Sequence, residues 1–221
     1  MNDFDAVKTA VTGGVATVRT QGPVRCVIVD PVAGGSTVTA PVIDGDRVVL
    51  RKARDGDVEG VIEIQVDARV RRFLGGPRPE HDVRAALESV GAAALLAGVG
   101  CYVVASQETD EMLGTMVLDR RGPDMPGHLD DGGNELELTY VFRRHAWGRG
   151  YAVEAARLLL RSAAAELCDQ PVLIVTQTAN HASLRVAERL GFAVVDTFEQ
   201  WRAEQTLATA QLHAFRAGDW R

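Results

Sequence analysis

Apolar residues fall along this chain with two distinct periods. At 136–142, Leu136, Leu138, Tyr140 and Phe142 alternate with Glu137, Thr139 and Val141, the two-residue repeat of a half-buried strand. From 152 to about 168, Ala155, Leu159, Ala163 and Leu167 recur every fourth residue beside Ala156 and Leu158, which predicts a helix with one apolar stripe. The apolar, β-branched run at 172–175 predicts a second, buried strand. Asn180 then reads as an N-cap with Ser183 at the third helical position. Leu184, Val186, Ala187 and Leu190 supply that helix's apolar face, and Gly191 ends it so that Phe192 folds back on Ala187.

Upstream, the same reading predicts a first core strand at Val48–Arg51 and a helix over 57–70 carrying Val61, Ile64 and Ala68 inward. Arg69, Arg71 and Arg72 read as its solvated end. After the Gly75-Gly76-Pro77 break, a helix over 80–96 runs through Val83, Ala86, Leu87, Val90 and Ala94. Runs at 101–105 and 112–118 suit an antiparallel hairpin, and 192–198 and 206–215 read as the last strands. The connection at 120–134, with its glycines, prolines and aspartates, is read in two ways: a solvated loop, or an acidic one that attracts a cationic amine. Residues 1–45 stand apart, with β-branched runs at 24–29 and 37–43 joined by Gly34-Gly35, and Pro41 confines the second run to a sheet edge. A β-rich extension over 1–45 and one domain over 46–221 are therefore expected. Packing on the sheet, dimer contacts and a lid all stand open for the extension.

Between the strand ending at Phe142 and the helix beginning near Ala152 lies Trp147-Gly148-Arg149-Gly150-Tyr151-Ala152. Glycines there let backbone N–H groups turn outward, and the amides of a helix start carry partial positive charge, so a pyrophosphate fits the turn. A plain strand-to-helix turn would use the same glycines. What separates the two readings is the ordered series of strand, glycine turn, helix, strand, and N-x-x-S opening a helix closed by Leu-Gly-Phe.

That series resembles the GNAT superfamily of acyl-CoA-dependent N-acetyltransferases, and within it the RimJ/RimL-like branch of ribosomal-protein alanine N-acetyltransferases, over roughly residues 46–217. The branch's opening pattern falls on Asp46, Arg47, Val48, Leu50 and Arg51, then Asp55 and Asp57. Its phosphate-binding pattern falls on Trp147, Gly150 and Ala152, with Trp147 replacing the usual Gln or Arg. The resemblance implies an α/β (α+β) fold: a mixed, mostly antiparallel sheet with a splayed parallel strand pair and helices on both faces. It also implies acetyl-CoA as cosubstrate. The amides of Gly148, Arg149, Gly150, Tyr151 and Ala152 would hold the pyrophosphate, with Arg143, Arg144 and Arg149 near the phosphates. The pantetheine arm would pair with free backbone near Tyr140, Val141 and Phe142, one of whose N–H groups would face the thioester oxygen. Glu137 aligns with the strand glutamate that takes the ammonium proton, Ser183 with the donor to the departing thiolate, and Asn180 with a pantetheine contact. The competing reading puts Glu137 on the solvent face of its strand and makes Ser183 an ordinary first-turn serine. Glu135 is the less favoured carboxylate.

Composition narrows the partners. A net charge of −6 without a long basic run argues against general nucleic-acid binding. Met1–Ala6 carries two aspartates and no basic stretch followed by an apolar one, so no secretory signal is expected, and the run at 91–100 is too short to cross a bilayer. Cys26, Cys101 and Cys168 have no C-x-x-C spacing, so reduced thiols in a cytoplasmic protein are expected. His81, His128, His145, His181 and His213 lack ligand spacing, so no metal is expected. The acceptor is then a peptide N-terminus or a small-molecule amine, and a homodimer stays open. A non-catalytic acyl-CoA-binding module is the alternative function. A dinucleotide-binding dehydrogenase fits poorly, because Val153 stands where a third glycine is needed.

Overall fold

The period-two segments form one sheet. In the computed structural model, which describes residues 38–216, its strands are β1 (Val42–Asp44), β2 (Val48–Arg51), β3 (Cys101–Ser106), β4 (Met112–Arg120), β5 (Leu136–Phe142), β6 (Pro171–Gln177), β7 (Ala193–Gln200) and β8 (Ala203–Gln211). They lie in the order β1-β2-β3-β4-β5-β6-β8-β7. Every neighbouring pair is antiparallel except β5–β6, which is parallel. The intervening helix α3 (Tyr151–Glu166) supplies the crossover that a parallel pair requires. The expected mixed sheet is thus observed. Of the N-terminal extension, the run at 24–29 and the Gly34-Gly35 turn lie outside the described residues. Pro41 does precede an edge strand, β1.

Two apolar clusters bury the two faces. On one, Leu136, Leu138 and Phe142 of β5 pack with Ala155, Leu159 and Ala163 of α3 and with Ala187 of α4 (His181–Arg189). On the other, Val141 packs with Val61 and Ile64 of α1 (Val58–Val66) and with Val83 and Leu87 of α2 (Glu80–Leu95). Helix α4 stops as its glycine predicts: Gly191 adopts φ +81°, its N–H donates to the Glu188 carbonyl at 2.9 Å, and the Phe192 N–H reaches the Ala187 carbonyl at 3.0 Å, a Schellman closure.

Four expectations need correction. The helix read over 57–70 ends at Val66, because the Asp67 carboxylate accepts the N–H groups of Arg69 at 2.7 Å and Val70 at 3.0 Å and turns the chain out. Ala68 is therefore exposed. Arg71 is not solvated but buried, donating to Gln65 Oε1 and to the carbonyls of Leu74 and Gly76. In α2, Gly91 takes φ +79°, ψ +156° and kinks the helix, so that Val90 and Ala94 face solvent while Ala92 and Leu96 are buried. The strand read over 206–215 ends at Gln211; Leu212–Phe215 is a 3-10 turn that buries Leu212 and Phe215.

Gly114 marks the tightest approach in the sheet near the site. A Cβ there would lie 2.4 Å from the Val141 carbonyl oxygen and 2.9 Å from the Phe142 Cα, both backbone atoms. Gly114→Ala is expected to push β4 from β5 and to destabilise the protein by about 2 kcal/mol, the usual scale of overpacking, read as a drop in urea midpoint.

Candidate active site

The glycine turn sits where β5 ends. The Trp147 indole Nε1 donates to the Phe142 carbonyl at 2.8 Å, so the residue that departs from the family pattern ties the turn to the strand. Gly148 and Gly150 adopt φ +73° and +81°, left-handed values that L-residues enter only at a cost. Gly150 is the N-cap of α3, and the Glu154 N–H, 3.1 Å from the Gly150 carbonyl, makes the first bond back into the turn. The amides of Gly148, Arg149, Gly150, Tyr151 and Ala152 donate to no acceptor among the described residues. A run of free amides at the positive end of a 16-residue helix is able to hold a phosphate anion.

Arg47, which matched the family's opening pattern, props this turn from the side. It pairs with Glu154 at 2.6 Å, donates to the Arg149 carbonyl at 2.9 Å and lies 5.2 Å from the centre of the Tyr151 ring. A helix residue holding the residue just before the first core strand leaves no local pattern, and nothing at 147–152 signals it. Arg144 and Arg149 are exposed. Arg143 is not at the phosphates' disposal: it pairs with Glu63 at 2.6 Å and Glu111 at 2.9 Å and donates to the Met112 carbonyl.

Next to the turn the sheet parts. β5 and β6 pair only at Leu136↔Val172 and Glu137↔Leu173, although both strands continue well beyond. The Arg143 N–H bonds the Leu113 carbonyl and the Arg121 N–H bonds the Glu135 carbonyl, with unbroken β4–β5 register between. Odd-numbered β5 residues therefore direct their backbone at β4 and even-numbered ones at the gap. Tyr140 and Phe142 present amides to the gap, whereas the backbone of Val141 is committed to β4. Across the gap, the bonds Thr178 N–H to Glu204 carbonyl and Leu212 N–H to Gln170 carbonyl commit the even-numbered β6 residues to β8. The backbones of Val175 and Gln177 are left facing β5.

The candidate catalytic side chains lie on opposite faces of this opening. Glu137 points away from the leucines, as the competing reading had it, but it is only 17% exposed and its Oε2 accepts from Arg121 Nη1 at 2.8 Å. Arg121 is 2% exposed and also donates to the Pro126 carbonyl. The sequence places it in the 120–134 connection, where an arginine among glycines and prolines carries no burial signal. Glu135 is occupied in folding that loop: its carboxylate meets His128 Nδ1 at 2.6 Å and accepts the N–H groups of Leu129 and Asn134. Met125 and Gly127 of the loop lie against Gln200 and Phe198 of β7, so the connection is docked rather than free.

Burial works to raise the Glu135 carboxyl, but the bonds from His128, Leu129 and Asn134 outweigh it and hold the group below the ordinary glutamate value. A depressed folded value means stabilisation that is complete above about pH 4.3 and is lost as the pH falls through the folded value. Glu135→Gln is expected to remove that acid-side loss and to lower stability at pH 7, which paired pH titrations of unfolding would read.

On the other face, Asn180 caps α4: its Oδ1 accepts the Ser183 N–H at 3.3 Å and its Nδ2 donates to Thr176 Oγ1 at 3.2 Å. The Ser183 hydroxyl lies 2.8 Å from the Tyr140 hydroxyl. Burial pushes the Tyr140 phenol up to about 12, with the Ser183 bond opposing. Among the described residues there is no His/Cys/Asp/Glu group able to hold a metal ion and no helix long and apolar enough to cross a membrane.

Comparisons with known proteins identify the family and fold to which this splayed strand pair and glycine turn belong. The family model described as Acetyltransferase (GNAT) domain matches residues 47–193, and the chain belongs to that family. It is 31% identical over 104 residues to the uncharacterised protein YkkB of Bacillus subtilis, spanning 47% of this chain and 56% of that protein; the chain thus covers about half the length of this curated relative. Among solved structures, a GNAT-family acetyltransferase from Bacillus anthracis superposes with a TM-score of 0.62 at 21% identity, covering 77% of this chain and 98% of that one. RimL, a ribosomal L7/L12 α-N-protein acetyltransferase in complex with coenzyme A, gives 0.60 at 18% identity over 78% of this chain and 99% of its own. A probable GNAT acetyltransferase from Chromobacterium violaceum gives 0.61 at 19% identity over 92% of this chain and the whole of its own. At these identities the likeness is one of fold.

Proposed function

We propose that the protein moves an acetyl group from acetyl-CoA to a primary amine by direct attack, with both substrates bound and without an acyl-enzyme. The observation that carries this reading is the β5–β6 gap, which leads from the free amides of the glycine turn to Glu137 on one face and Ser183 on the other. The turn's amides hold the diphosphate. The backbones of Tyr140 and Val175 pair with the pantetheine amides, and the Asn180 segment contacts the same arm. The Tyr140 or Phe142 N–H meets the thioester oxygen, stabilising charge that develops only as the amine attacks. Glu137 takes the ammonium proton through Oε1, since Oε2 is engaged by Arg121. Ser183 donates a hydrogen bond to the departing sulfur.

The RimL-like sequence pattern and the RimL-like fold favour a peptide N-terminus as acceptor. A small-molecule amine is the second class, because the loops that line an acceptor site vary independently of the fold. Thiol release from acetyl-CoA against a panel of peptides and polyamines tests the reading. Amine-dependent release is expected, with product mass raised by one acetyl group. Tight coenzyme A binding with no release for any amine would favour the non-catalytic acyl-CoA-binding module instead.

A further inference from the structure

We propose that Tyr140 is a positioning residue for the departing sulfur: its phenol donates to Ser183 Oγ and so turns the serine's own O–H into the gap between β5 and β6. The inference rests on the acetyl-transfer reading. Tyr140 belongs to the even-numbered residues of β5, so its backbone faces the gap while its ring lies on the α3 side and its hydroxyl reaches the first turn of α4. Ser183 is gripped from two directions. Asn180, itself bonded to Thr176, takes its amide, and Tyr140 takes its hydroxyl at 2.8 Å. The phenol's second acceptor, the Ser183 carbonyl, is farther, at 3.4 Å.

The direction of the hydroxyl pair follows from the inventory of donors. Each hydroxyl carries one hydrogen, and at 2.8 Å one of them donates to the other; the phenol hydrogen finds its acceptors in Ser183 Oγ and, farther off, the Ser183 carbonyl. A serine that accepts from the tyrosine keeps its own hydrogen for something else. Were the serine to donate to the tyrosine instead, it would have nothing to offer the sulfur. Donation from Tyr140 is thus the arrangement in which Ser183 can serve the sulfur.

In the transfer step the amine nitrogen bonds to the acetyl carbon and the carbon–sulfur electron pair moves onto sulfur. The proton released from nitrogen goes to Glu137 and then to water. The Ser183 O–H stabilises the thiolate by hydrogen bonding without giving up its proton, and the thiolate is later protonated by solvent. Stabilisation of this kind matters only when the thiolate is a poor leaving group.

The experiment compares Tyr140→Phe, Ser183→Ala and the double variant, using acetyl-CoA and S-acetyl thiophenol, whose thiolate leaves more readily, as donors. With acetyl-CoA, Tyr140→Phe is expected to lower kcat roughly 10-fold, less than a proton donor acting directly would, with KM for acetyl-CoA unchanged. The double variant should be no slower than Ser183→Ala. With S-acetyl thiophenol the losses should shrink toward none. Additive losses, equal losses with both donors, or wild-type kcat for Tyr140→Phe would overturn the proposal. Should the phenylalanine variant fail to fold, 3-fluorotyrosine at position 140 keeps ring and hydroxyl while sharpening the donor; a higher kcat supports the proposal and an unchanged one overturns it. A folded wild-type protein without turnover would remove the acetyl-transfer reading itself, whereas turnover with additive losses removes the tyrosine alone.

Discussion

Glu137→Gln is expected to lower kcat by about 10²- to 10³-fold, the scale of losing a positioned general base, while coenzyme A affinity stays near wild type. The separation follows from geometry. Glu137 sits at the last paired position of β5 before the gap opens, on the face opposite Tyr140 and Ser183, and away from the glycine turn proposed to hold the diphosphate. Glutamine keeps an oxygen for Arg121, so the buried guanidinium retains a hydrogen-bond acceptor although the ion pair is lost. The fold should survive with a modest decrease in stability, about 1 to 2 kcal/mol. What glutamine cannot do is accept the ammonium proton. Steady-state rates with the best amine, alongside calorimetry with coenzyme A, check both halves. Wild-type turnover over the full pH range would assign the base elsewhere.

Gly150→Ala is expected to weaken coenzyme A binding by at least about 10-fold, or about 1.4 kcal/mol. Gly150 holds φ +81°, ψ 0° as the N-cap of α3, and an alanine there costs about 1 to 2 kcal/mol in the left-handed region. Its Cβ would also stand 3.4 Å from Arg47 Nη2, against the guanidinium that props the turn. Either relaxation moves the amides that form the cradle. Gly148→Ala is the internal comparison: at φ +73° it meets the same backbone cost, but a Cβ there touches nothing within 4 Å. The Gly148 variant should therefore lose less affinity than the Gly150 variant. Equal binding by wild type and both variants would mean that the diphosphate rests elsewhere.

What the residue pattern made legible was local. The alternation at Leu136, Leu138, Tyr140 and Phe142, the four-residue repeat along α3, the Asn180 cap and the Gly191 stop each depend on neighbours in sequence, and each is found in place. Breaks set by single residues leave no such pattern. Asp67 ends α1 by capping the following turn, and Gly91 re-aims the second half of α2 so that Ala92 replaces Val90 in the core. The hidden parts of the site are long-range pairs. Arg121 with Glu137, Arg47 with Glu154, and Arg143 with Glu63 join residues 16, 107 and 80 positions apart, and no periodicity encodes such a pairing. For the same reason Arg143 read as a phosphate ligand and Arg121 as a loop residue. Glu135 and Glu137, two positions apart on one strand edge, were separable only by burial and partners: one carboxylate is spent on the amides of its loop, and the other keeps an oxygen beside the gap.

The most direct measurement is an amide chemical-shift titration of the labelled protein with coenzyme A. The largest changes are expected at the amides of Gly148, Arg149, Gly150, Tyr151 and Ala152, with Tyr140 and Phe142 following, and Val141, whose amide is committed to β4, moving least along β5. A folded protein that does not respond to coenzyme A, or that saturates while the amides at 148–152 stay still, would contradict a nucleotide seated where β5 and β6 part.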